Sequence, residues 1–177
     1  MTPSIPRVEV VQNAYVVPDV AKAAEQFNAL YGIGPFLFGP GLEMGGAIYR
    51  GQPAPEPIII DVGLAQAGDI TIELITQRSD APSAFRDMAP DGGPVLHHVA
   101  YWSSDPQGDA QAFTDAGLEI AMASRGRGNY WISFVDARPA LGHMVEIYPD
   151  HPGLRALYER IRQSAAAWDG QDLLIPL

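Results

Sequence analysis

The sequence predicts an α+β fold built from two related halves, each with the order strand, helix and three strands. The first observation is an internal repeat, because QNAYVVPD at 12–19 is similar to HVAYWSSD at 98–105. The second is that both halves end on similar apolar segments with a central glutamate, TIELI at 71–75 and MVEIY at 144–148. Two copies are too few for a repeat array, so we expect the halves to pair around a shared core.

The first module, residues 7–77, opens on a predicted strand over 7–17 and an amphipathic helix over 19–32. Asp19 is a typical N-cap for this helix, and Gly32 is a typical residue beyond its end. The apolar residues at helical spacing define one face: Val20, Ala23, Ala24, Phe27, Leu30 and Tyr31. Strands are then predicted over 36–38, 47–50, 57–62 and 69–76.

Two segments outside the similar parts of the two modules are predicted to be connections. The first module is longer than the second, and GPGLEMGGAIYRGQPAP at 39–55 accounts for the difference. Its Gly and Pro residues favour a loop, which we expect near the mouth of the binding cavity. Residues 78–93 are rich in Pro, Asp and Gly and are predicted to form the linker between the modules.

The second module, residues 94–149, repeats the order of the first. A strand over 95–102 leads to a helix that begins with Asp105 as N-cap and Pro106 in its first turn. Strands follow over 119–123, 129–135 and 143–148, and a C-terminal helix over 152–168 lies outside the repeat. We treat residues 1–177 as a single domain.

Composition excludes several classes of protein. The net charge of −10 and pI of about 4.6 argue against nucleic acid as a partner, because nucleic acid needs a basic surface. The chain has no cysteine, so disulfides and thiolate metal sites are excluded. We find no signal peptide and no apolar run long enough to span a membrane, so we expect a cytoplasmic protein without a membrane partner.

Four polar residues stand in the middle of predicted strands at repeat-related positions: Gln12, Glu73, His98 and Glu146. A single strand glutamate usually faces solvent, and a single core histidine is usually structural. Buried carboxylates, however, are costly unless they are paired or bind a cation, and two carboxylates with an imidazole and an amide form a suitable divalent-metal set. Strand alternation places the neighbouring His97 on the opposite face, where we expect a structural role. A metal-free pocket is the alternative.

These residues carry a resemblance to a known family. QNAYVVPD, TIELI, HHVAYW and the ending ALGHMVEIYP resemble the vicinal oxygen chelate superfamily, which includes glyoxalase I, bleomycin-resistance proteins, extradiol dioxygenases and methylmalonyl-CoA epimerase. The resemblance covers roughly residues 7–149 and implies two βαβββ modules whose curved mixed sheet surrounds a central cavity, with the C-terminal helix added. It also implies that Gln12, Glu73, His98 and Glu146 bind a divalent ion (Zn, Ni, Co, Mn or Fe) and that the protein can form a homodimer.

The resemblance is nearest to glyoxalase-like members, because the position that carries His in extradiol dioxygenases is Gln12 here. It implies a metal-dependent lyase or isomerase that transfers a proton on a small substrate with two vicinal oxygens. The metal is expected to act as a Lewis acid on both oxygens, with Glu146 or Glu73 as the base. The alternatives are a metal-free small-molecule binding or resistance protein and, third, an extradiol-type dioxygenase.

Overall fold

The computed structural model describes residues 8–126 and 130–177. Arg7 and Asn129, at which two strands were predicted to begin, and Arg127 lie outside these ranges. Within the described ranges the chain forms five helices and one mixed sheet of eleven strands, in the order β11-β2-β5-β6-β1-β7-β10-β9-β8-β3-β4. The predicted α+β class is confirmed, with a curved mixed sheet and a C-terminal helix.

The first half contains six strands and one helix. Helix α1 begins after Asp19, whose side chain accepts a hydrogen bond from the Lys22 amide, and ends at Gly32 in the left-handed conformation, as predicted. The elements are β1 (Val10–Val16), α1 (Val20–Tyr31), β2 (Phe36–Glu43), β3 (Gly45–Tyr49), β4 (Gln52–Pro53), β5 (Ile59–Ala67) and β6 (Ile70–Gln77).

The remaining elements belong to the linker, the second half and the C-terminal region. They are α2 (Ala84–Met88), β7 (Val95–Ser103), α3 (Pro106–Asp115), β8 (Ile120–Arg125), β9 (Trp131–Val135), α4 (Arg138–Leu141), β10 (Met144–Pro149), α5 (Pro152–Ala167) and β11 (Leu174–Pro176). None of these helices, among the residues described, has the length and apolar character required to cross a membrane.

The four central strands carry the symmetry that the repeat predicts. β1 and β7, the first strands of the two halves, pair antiparallel. β6 pairs parallel with β1, and β10 pairs parallel with β7. Each first strand therefore lies beside the last strand of its own half, and the two pairs meet at the centre of the sheet.

The segment 39–55 contains the strand predicted over 47–50, which is β3, but the rest of it is not the predicted loop. β2 continues through Glu43 and pairs with β5, and β3 pairs antiparallel with β8 of the second half. The Gly and Pro residues suggested a loop, but the partner strand of β3 is remote in sequence. Local composition therefore gave no signal of the pairing that makes this segment part of the sheet.

Three other features differ from the sequence prediction. The linker contains the helix α2, capped by Ser83 and fixed by the buried ring of Phe85. Leu30 and Tyr31, assigned to the apolar face of α1, are 74 % and 71 % exposed because they lie at the end of the helix, beyond the sheet it covers. The C-terminal strand β11, which was not predicted, pairs parallel with β2.

Arg50 links three separate parts of the chain. Its guanidinium donates to the carboxylates of Asp87 on α2, Glu119 before β8 and Asp136 after β9. Asp136 also accepts two hydrogen bonds from Arg138, and these bonds, together with those from Arg50, hold the pKa of Asp136 well below its ordinary range. Because the folded-state pKa is lowered, this carboxylate stabilises the protein above the unfolded-state pKa, and the stabilisation is lost as the pH falls.

We expect Asp136→Asn to lower the free energy of unfolding at pH 7 by roughly 1.5–3 kcal/mol, the range for hydrogen bonds to charged groups. The loss should shrink as the pH falls below about 4, the ordinary aspartate pKa, because Asp136 then binds a proton in the unfolded wild type while it stays ionised in the folded protein, which removes the stabilisation that the variant lacks. Urea unfolding monitored by tryptophan fluorescence at several pH values measures both effects. Asp150→Asn is the control, because Asp150 pairs with Arg155 on the exposed surface and should contribute little. Equal losses for Asp136→Asn at pH 7 and pH 3 would contradict this account.

Candidate metal centre

The sheet register brings the four predicted site residues onto one face in two adjacent rows. In the first row, Ala14 pairs with Glu73 on one side and with His98 on the other. In the second row, Ala100 pairs with Gln12 on one side and with Glu146 on the other. Residues two apart on a strand share a face, so the two rows point their side chains to the same side of the sheet.

Small residues leave room for this convergence. Ala14 and Ala100 occupy the central positions of the two rows, and both are fully buried. They are repeat-related, like the residues beside them. A larger side chain at either position would fill the space into which the four functional groups project.

The functional groups of the four residues lie within a few ångströms of one another. His98 Nε2 lies 3.1 Å from Gln12 Oε1, 2.9 Å from Glu146 Oε2 and 3.4 Å from Glu73 Oε2. Ligand-type atoms of Glu73, His98 and Glu146 all lie within 4.8 Å of one another. The side chains of His98 and Gln12 are fully buried, that of Glu146 is 2 % exposed, and that of Glu73 is 12 % exposed.

The Gln12 amide can turn either its oxygen or its nitrogen toward the cluster. Its oxygen faces His98 Nε2 and the two carboxylates, so it meets only groups that accept hydrogen bonds when His98 Nε2 carries no proton. Turning the amide over would let its nitrogen donate to His98 Nε2 at 3.1 Å and to both carboxylates at 3.3 Å. An inward oxygen is favourable when a cation lies among these groups, so the donor set of one nitrogen and several oxygens fits a divalent ion.

Charge within the cluster is concentrated and buried. Burial alone lowers the pKa of His98, but the carboxylates of Glu146 and Glu73 outweigh it and raise that pKa to about 9. Burial, together with the charge of Glu73, raises the pKa of Glu146, although His98 acts in the opposite direction. In the metal-free protein the positive charge beside these carboxylates is therefore a proton on His98, which a bound metal ion would replace.

Strand alternation predicted that His97 lies on the opposite face of the sheet from His98. In the structure the two histidine side chains instead lie side by side. The pairing of β1 and β7 contains two irregularities, one skipping Val11 and one skipping His97. These bulges stand at repeat-related positions, and each inserts an unpaired residue that interrupts the alternation of the strand. As a result His97 Nδ1 lies 2.8 Å from His98 Nδ1.

The hydrogen bonds of His97 fix the tautomer of His98. His97 Nε2 lies 2.9 Å from the Ala84 carbonyl oxygen of α2, which can only accept, so Nε2 carries the proton. Burial lowers the pKa of His97 well below its ordinary value, so the ring is neutral and its Nδ1 accepts. His98 Nδ1 must therefore donate, which leaves His98 Nε2 free to bind a metal ion when the ring is neutral.

We expect His97→Phe to reduce the affinity for divalent metal by roughly 10–100-fold, the usual effect of removing a group that orients a histidine ligand. His97→Gln should recover part of the affinity, because its amide can accept from His98 and donate to Ala84. Competition with a fluorescent chelator measures the affinity. Phe85→Leu is the packing control, because Phe85 stacks on His97 with ring centroids 4.9 Å apart but makes no hydrogen bond to it. Equal losses in His97→Phe and Phe85→Leu would show that packing, not the hydrogen bond, is responsible.

Tyr158 on α5 contacts the cluster, and the sequence did not predict this contact. It was assigned to the apolar face of the C-terminal helix, where an aromatic residue gives no sign of a polar contact. Its hydroxyl lies 3.2 Å from the Gln12 amide atom that points away from the cluster. Burial, and then the charges of Glu146 and Glu73, raise the pKa of Tyr158 well above its ordinary value, so the hydroxyl stays protonated. When the Gln12 oxygen points inward, the amide nitrogen can donate to this hydroxyl.

We expect Tyr158→Phe to lower metal affinity by up to about tenfold, the upper value of one neutral hydrogen bond of about 0.5–1.5 kcal/mol. The ring remains, so packing against Trp102 and Tyr148 is preserved. The same chelator competition measures the effect. Tyr130→Phe is the control, since Tyr130 lines the cavity and is not the hydroxyl that contacts the Gln12 amide. An unchanged affinity in Tyr158→Phe would show that the Gln12 amide needs no support from α5.

A cavity of about 390 Å³ opens beside the cluster. Glu73 is the member of the cluster that lines it, and this position agrees with the partial exposure of its side chain. Most of the other lining side chains are aliphatic or aromatic: Leu42, Met44, Ile60, Val62, Leu64, Tyr130, Ile132, Tyr148, Leu154, Leu157 and Leu177. A small molecule that enters this cavity therefore meets the cluster on the side of Glu73.

The other two histidines lie outside the cluster of ligand-type atoms. His143 Nδ1 lies 2.7 Å from the Met144 carbonyl oxygen, and its side chain is half-buried. His151 is the N-cap of α5, where its Nδ1 accepts a hydrogen bond from the Gly153 amide.

Two βαβββ halves joined by their first strands, with four polar residues on the shared face, define the fold class of the vicinal oxygen chelate proteins. A family model described as the Glyoxalase/Bleomycin resistance protein/Dioxygenase superfamily matches residues 11–134. The chain belongs to this superfamily. A search of curated protein sequences found no match.

Several solved structures share the fold at low sequence identity. A variant of Streptomyces coelicolor methylmalonyl-CoA epimerase in complex with 2-nitronate-propionyl-CoA is 18 % identical, with a TM-score of 0.58 over 83 % of this chain and 97 % of that chain. Mycobacterium tuberculosis methylmalonyl-CoA epimerase is 19 % identical, with a TM-score of 0.54 over 83 % and 91 %. A hypothetical protein from Bacillus halodurans is 15 % identical, with a TM-score of 0.61 over 82 % and 96 %.

Proposed function

We propose that this protein is a metal-dependent lyase or isomerase that transfers a proton on a small substrate bearing two vicinal oxygens. The observation that carries the proposal is the convergence of four buried acceptor groups beside an apolar cavity, with one carboxylate at the boundary between them. Membership of a superfamily that includes glyoxalases supports the class of reaction. The likeness in fold to methylmalonyl-CoA epimerases agrees with an isomerase.

Gln12, Glu73, His98 and Glu146 would hold the metal ion. When bound, a divalent cation supplies Lewis-acid polarisation of the substrate oxygens, which makes a neighbouring C–H bond more acidic. The set contains three oxygen ligands and one nitrogen, which suits Zn, Ni, Co, Mn or Fe. The homodimer suggested by the family resemblance also stays a prediction.

Glu73 is the carboxylate that we propose as the principal base. It lines the cavity, whereas Glu146 lies 2.9 Å from His98 Nε2 and is almost fully buried. Glu73 therefore reaches a substrate C–H group without moving through the protein. The side chain of Glu73 is 12 % exposed, so the proton that it accepts can exchange with solvent deuterium before a proton is returned to the substrate.

A metal-free binding or resistance protein is the second candidate, because the apolar cavity alone suits the sequestration of a small molecule. The two carboxylates beside His98 favour the metal-dependent enzyme over this candidate, because buried carboxylates are costly unless they are paired or bind a cation. An extradiol-type dioxygenase is the third candidate, and an amide at position 12 in place of an imidazole makes it less favoured.

Two measurements test the proposal in sequence. Elemental analysis of tag-free protein should give about one equivalent of divalent metal, directly or after addition of the ions named above. Metal-loaded protein in D₂O should then exchange the α-hydrogen of α-hydroxy carbonyl compounds, detected by proton NMR. Protein that binds no metal under any of these conditions would overturn the proposal, and oxygen consumption with catechols would identify the dioxygenase instead.

A further inference from the structure

We propose that the substrate is a small, uncharged α-hydroxy carbonyl compound with a hydrocarbon body, and that a coenzyme A thioester is not accepted. This inference rests on the proposed function and names the substrate class of the same site. It comes from the walls of the cavity and from the charged groups around it.

The cavity is apolar on the sides that face away from the cluster. Ile60, Val62 and Leu64 project into it from β5, and all three are at least nine-tenths buried. Leu154 on α5 and Ile132 on β9 close it from other directions. Apart from Glu73, these inner walls offer no charged side chain to a ligand, so a hydrocarbon body is favoured in the interior.

The C-terminal region builds one wall of the cavity. Leu154 and Leu157 come from α5, and Leu177 follows β11. These residues lie beyond residue 134, where the match to the family model ends. The wall is therefore a feature of this chain that the family match does not cover.

Several contacts fix this wall against the sheet. The Leu177 amide donates to the Phe38 carbonyl at 2.9 Å, and Arg160 on α5 donates to the Pro176 carbonyl at 2.6 Å. A Cβ at Gly34 would lie 2.6 Å from the ring of Trp168, so the glycine permits the end of α5 to pack directly on the chain before β2. The cavity volume of about 390 Å³ is thus bounded by paired and packed chain, and lies at the low end of the usual range for small-molecule sites.

Among the residues that the structure describes, the charged side chains on the cavity lining are engaged in other contacts or carry negative charge. Arg160 is bonded to the Pro176 carbonyl, and the guanidinium of Arg125 lies 5.2 Å from the centre of the Trp131 ring. Glu43 adds a negative charge on the same lining. With a net charge of −10 on the whole chain, the phosphates of a coenzyme A thioester would meet an unfavourable field.

These features orient the substrate. The two oxygens lie at the Glu73 end, and the hydrocarbon body lies against Leu154 and Leu157. The C–H bond of the hydroxyl-bearing carbon breaks and its proton passes to the Glu73 carboxylate, while the electron pair forms a double bond between the two oxygen-bearing carbons and the carbonyl π pair moves to the carbonyl oxygen. Glu73, which is 12 % exposed, exchanges this proton with solvent and returns a proton to the former carbonyl carbon. The hydroxyl proton passes to the other oxygen as the new carbonyl forms, so the isomerisation needs no oxidant or reductant.

Three probes test the class. 2-Hydroxyacetophenone carries the oxygen pair on a phenyl ring, hydroxyacetone carries the same pair on a methyl group, and methylmalonyl-CoA is the thioester. With metal-loaded protein in D₂O, we expect kcat/KM for α-hydrogen exchange to be roughly 10–100-fold higher for 2-hydroxyacetophenone than for hydroxyacetone, because the ring is buried in the cavity. No exchange is expected at the α-carbon of methylmalonyl-CoA.

A matched pair of variants locates the hydrocarbon body. Leu157→Trp places a larger side chain in the cavity and should remove most of the preference for 2-hydroxyacetophenone. The metal content should stay at the wild-type value. Ala156→Trp adds the same ring on the exposed side of α5 and should leave the preference unchanged. Isothermal titration calorimetry gives the affinity for both ketones independently of turnover.

The outcomes separate this inference from the proposed function. Equal or better exchange with hydroxyacetone, exchange with methylmalonyl-CoA, or a failure of 2-hydroxyacetophenone to bind would overturn the substrate class. Tight binding of 2-hydroxyacetophenone that Leu157→Trp weakens, without exchange of any probe, would support the substrate class and overturn the enzymatic function. An equal loss of preference in Ala156→Trp would overturn the placement of the ring against α5.

Discussion

His98→Ala is expected to abolish stoichiometric binding of divalent metal. His98 supplies the only nitrogen donor of the proposed ligand set, and its Nε2 lies 2.9–3.4 Å from an oxygen of each of the other three residues. Removing the imidazole leaves two carboxylates and an amide without the group that stands between them. The repulsion between Glu73 and Glu146 would then favour protonation of one carboxylate over metal binding.

The metal content of purified protein after dialysis, measured by elemental analysis, tests this expectation. His143→Ala is the matched control, because His143 is half-buried on the same chain but lies outside the cluster. Circular dichroism and thermal unfolding show whether each variant is folded. A folded His98→Ala protein that retains one equivalent of metal would exclude His98 as a ligand.

Glu73→Gln is expected to lower the rate of proton transfer by roughly 10²–10⁴-fold, the contribution of a positioned acid or base. The glutamine amide oxygen can still bind the metal ion, so metal content should be retained in part. The amide cannot accept a proton from the substrate. Exchange of the substrate α-hydrogen in D₂O and metal content, measured on the same preparation, separate the two functions.

Glu146→Gln is the comparison that assigns the base. Glu146 is shielded from the cavity, so we expect its substitution to reduce exchange less than Glu73→Gln does at equal metal occupancy. A larger loss of exchange in Glu146→Gln would make Glu146 the principal base. Equal activity of both variants and the wild type would show that neither carboxylate accepts the proton.

Much of the site could be predicted from the sequence because the two halves are related. Gln12 and His98 stand at matching positions of the opening strands, and Glu73 and Glu146 stand at matching positions of the closing strands. A symmetric pairing of two such halves brings four side chains to one centre whatever the details of the loops. The register that does so, with Ala14 and Ala100 between them, follows the predicted symmetry.

Sequence patterns did not predict the contacts that depend on a strand distant in the chain. The bulge at His97 is set by the pairing of β7 with β1, and strand alternation within β7 cannot reveal it. The strand over 47–50 was predicted and is β3, but its pairing with β8 of the second half was not. In both cases a long-range hydrogen-bonding pattern decided the arrangement.

The sequence by itself determined the α+β class, the two-module organisation and the four candidate ligands, since repeat and alternation are properties of the chain. Only the tertiary structure decided that His97 fixes the tautomer of His98 and that Tyr158 reaches the Gln12 amide. It also decided that α5 and the chain after β11 close the cavity. The physical reason is that the sequence around a tyrosine, a histidine or a leucine predicts its helix or strand but not its neighbours in space. Tertiary packing alone decides which group each side chain contacts.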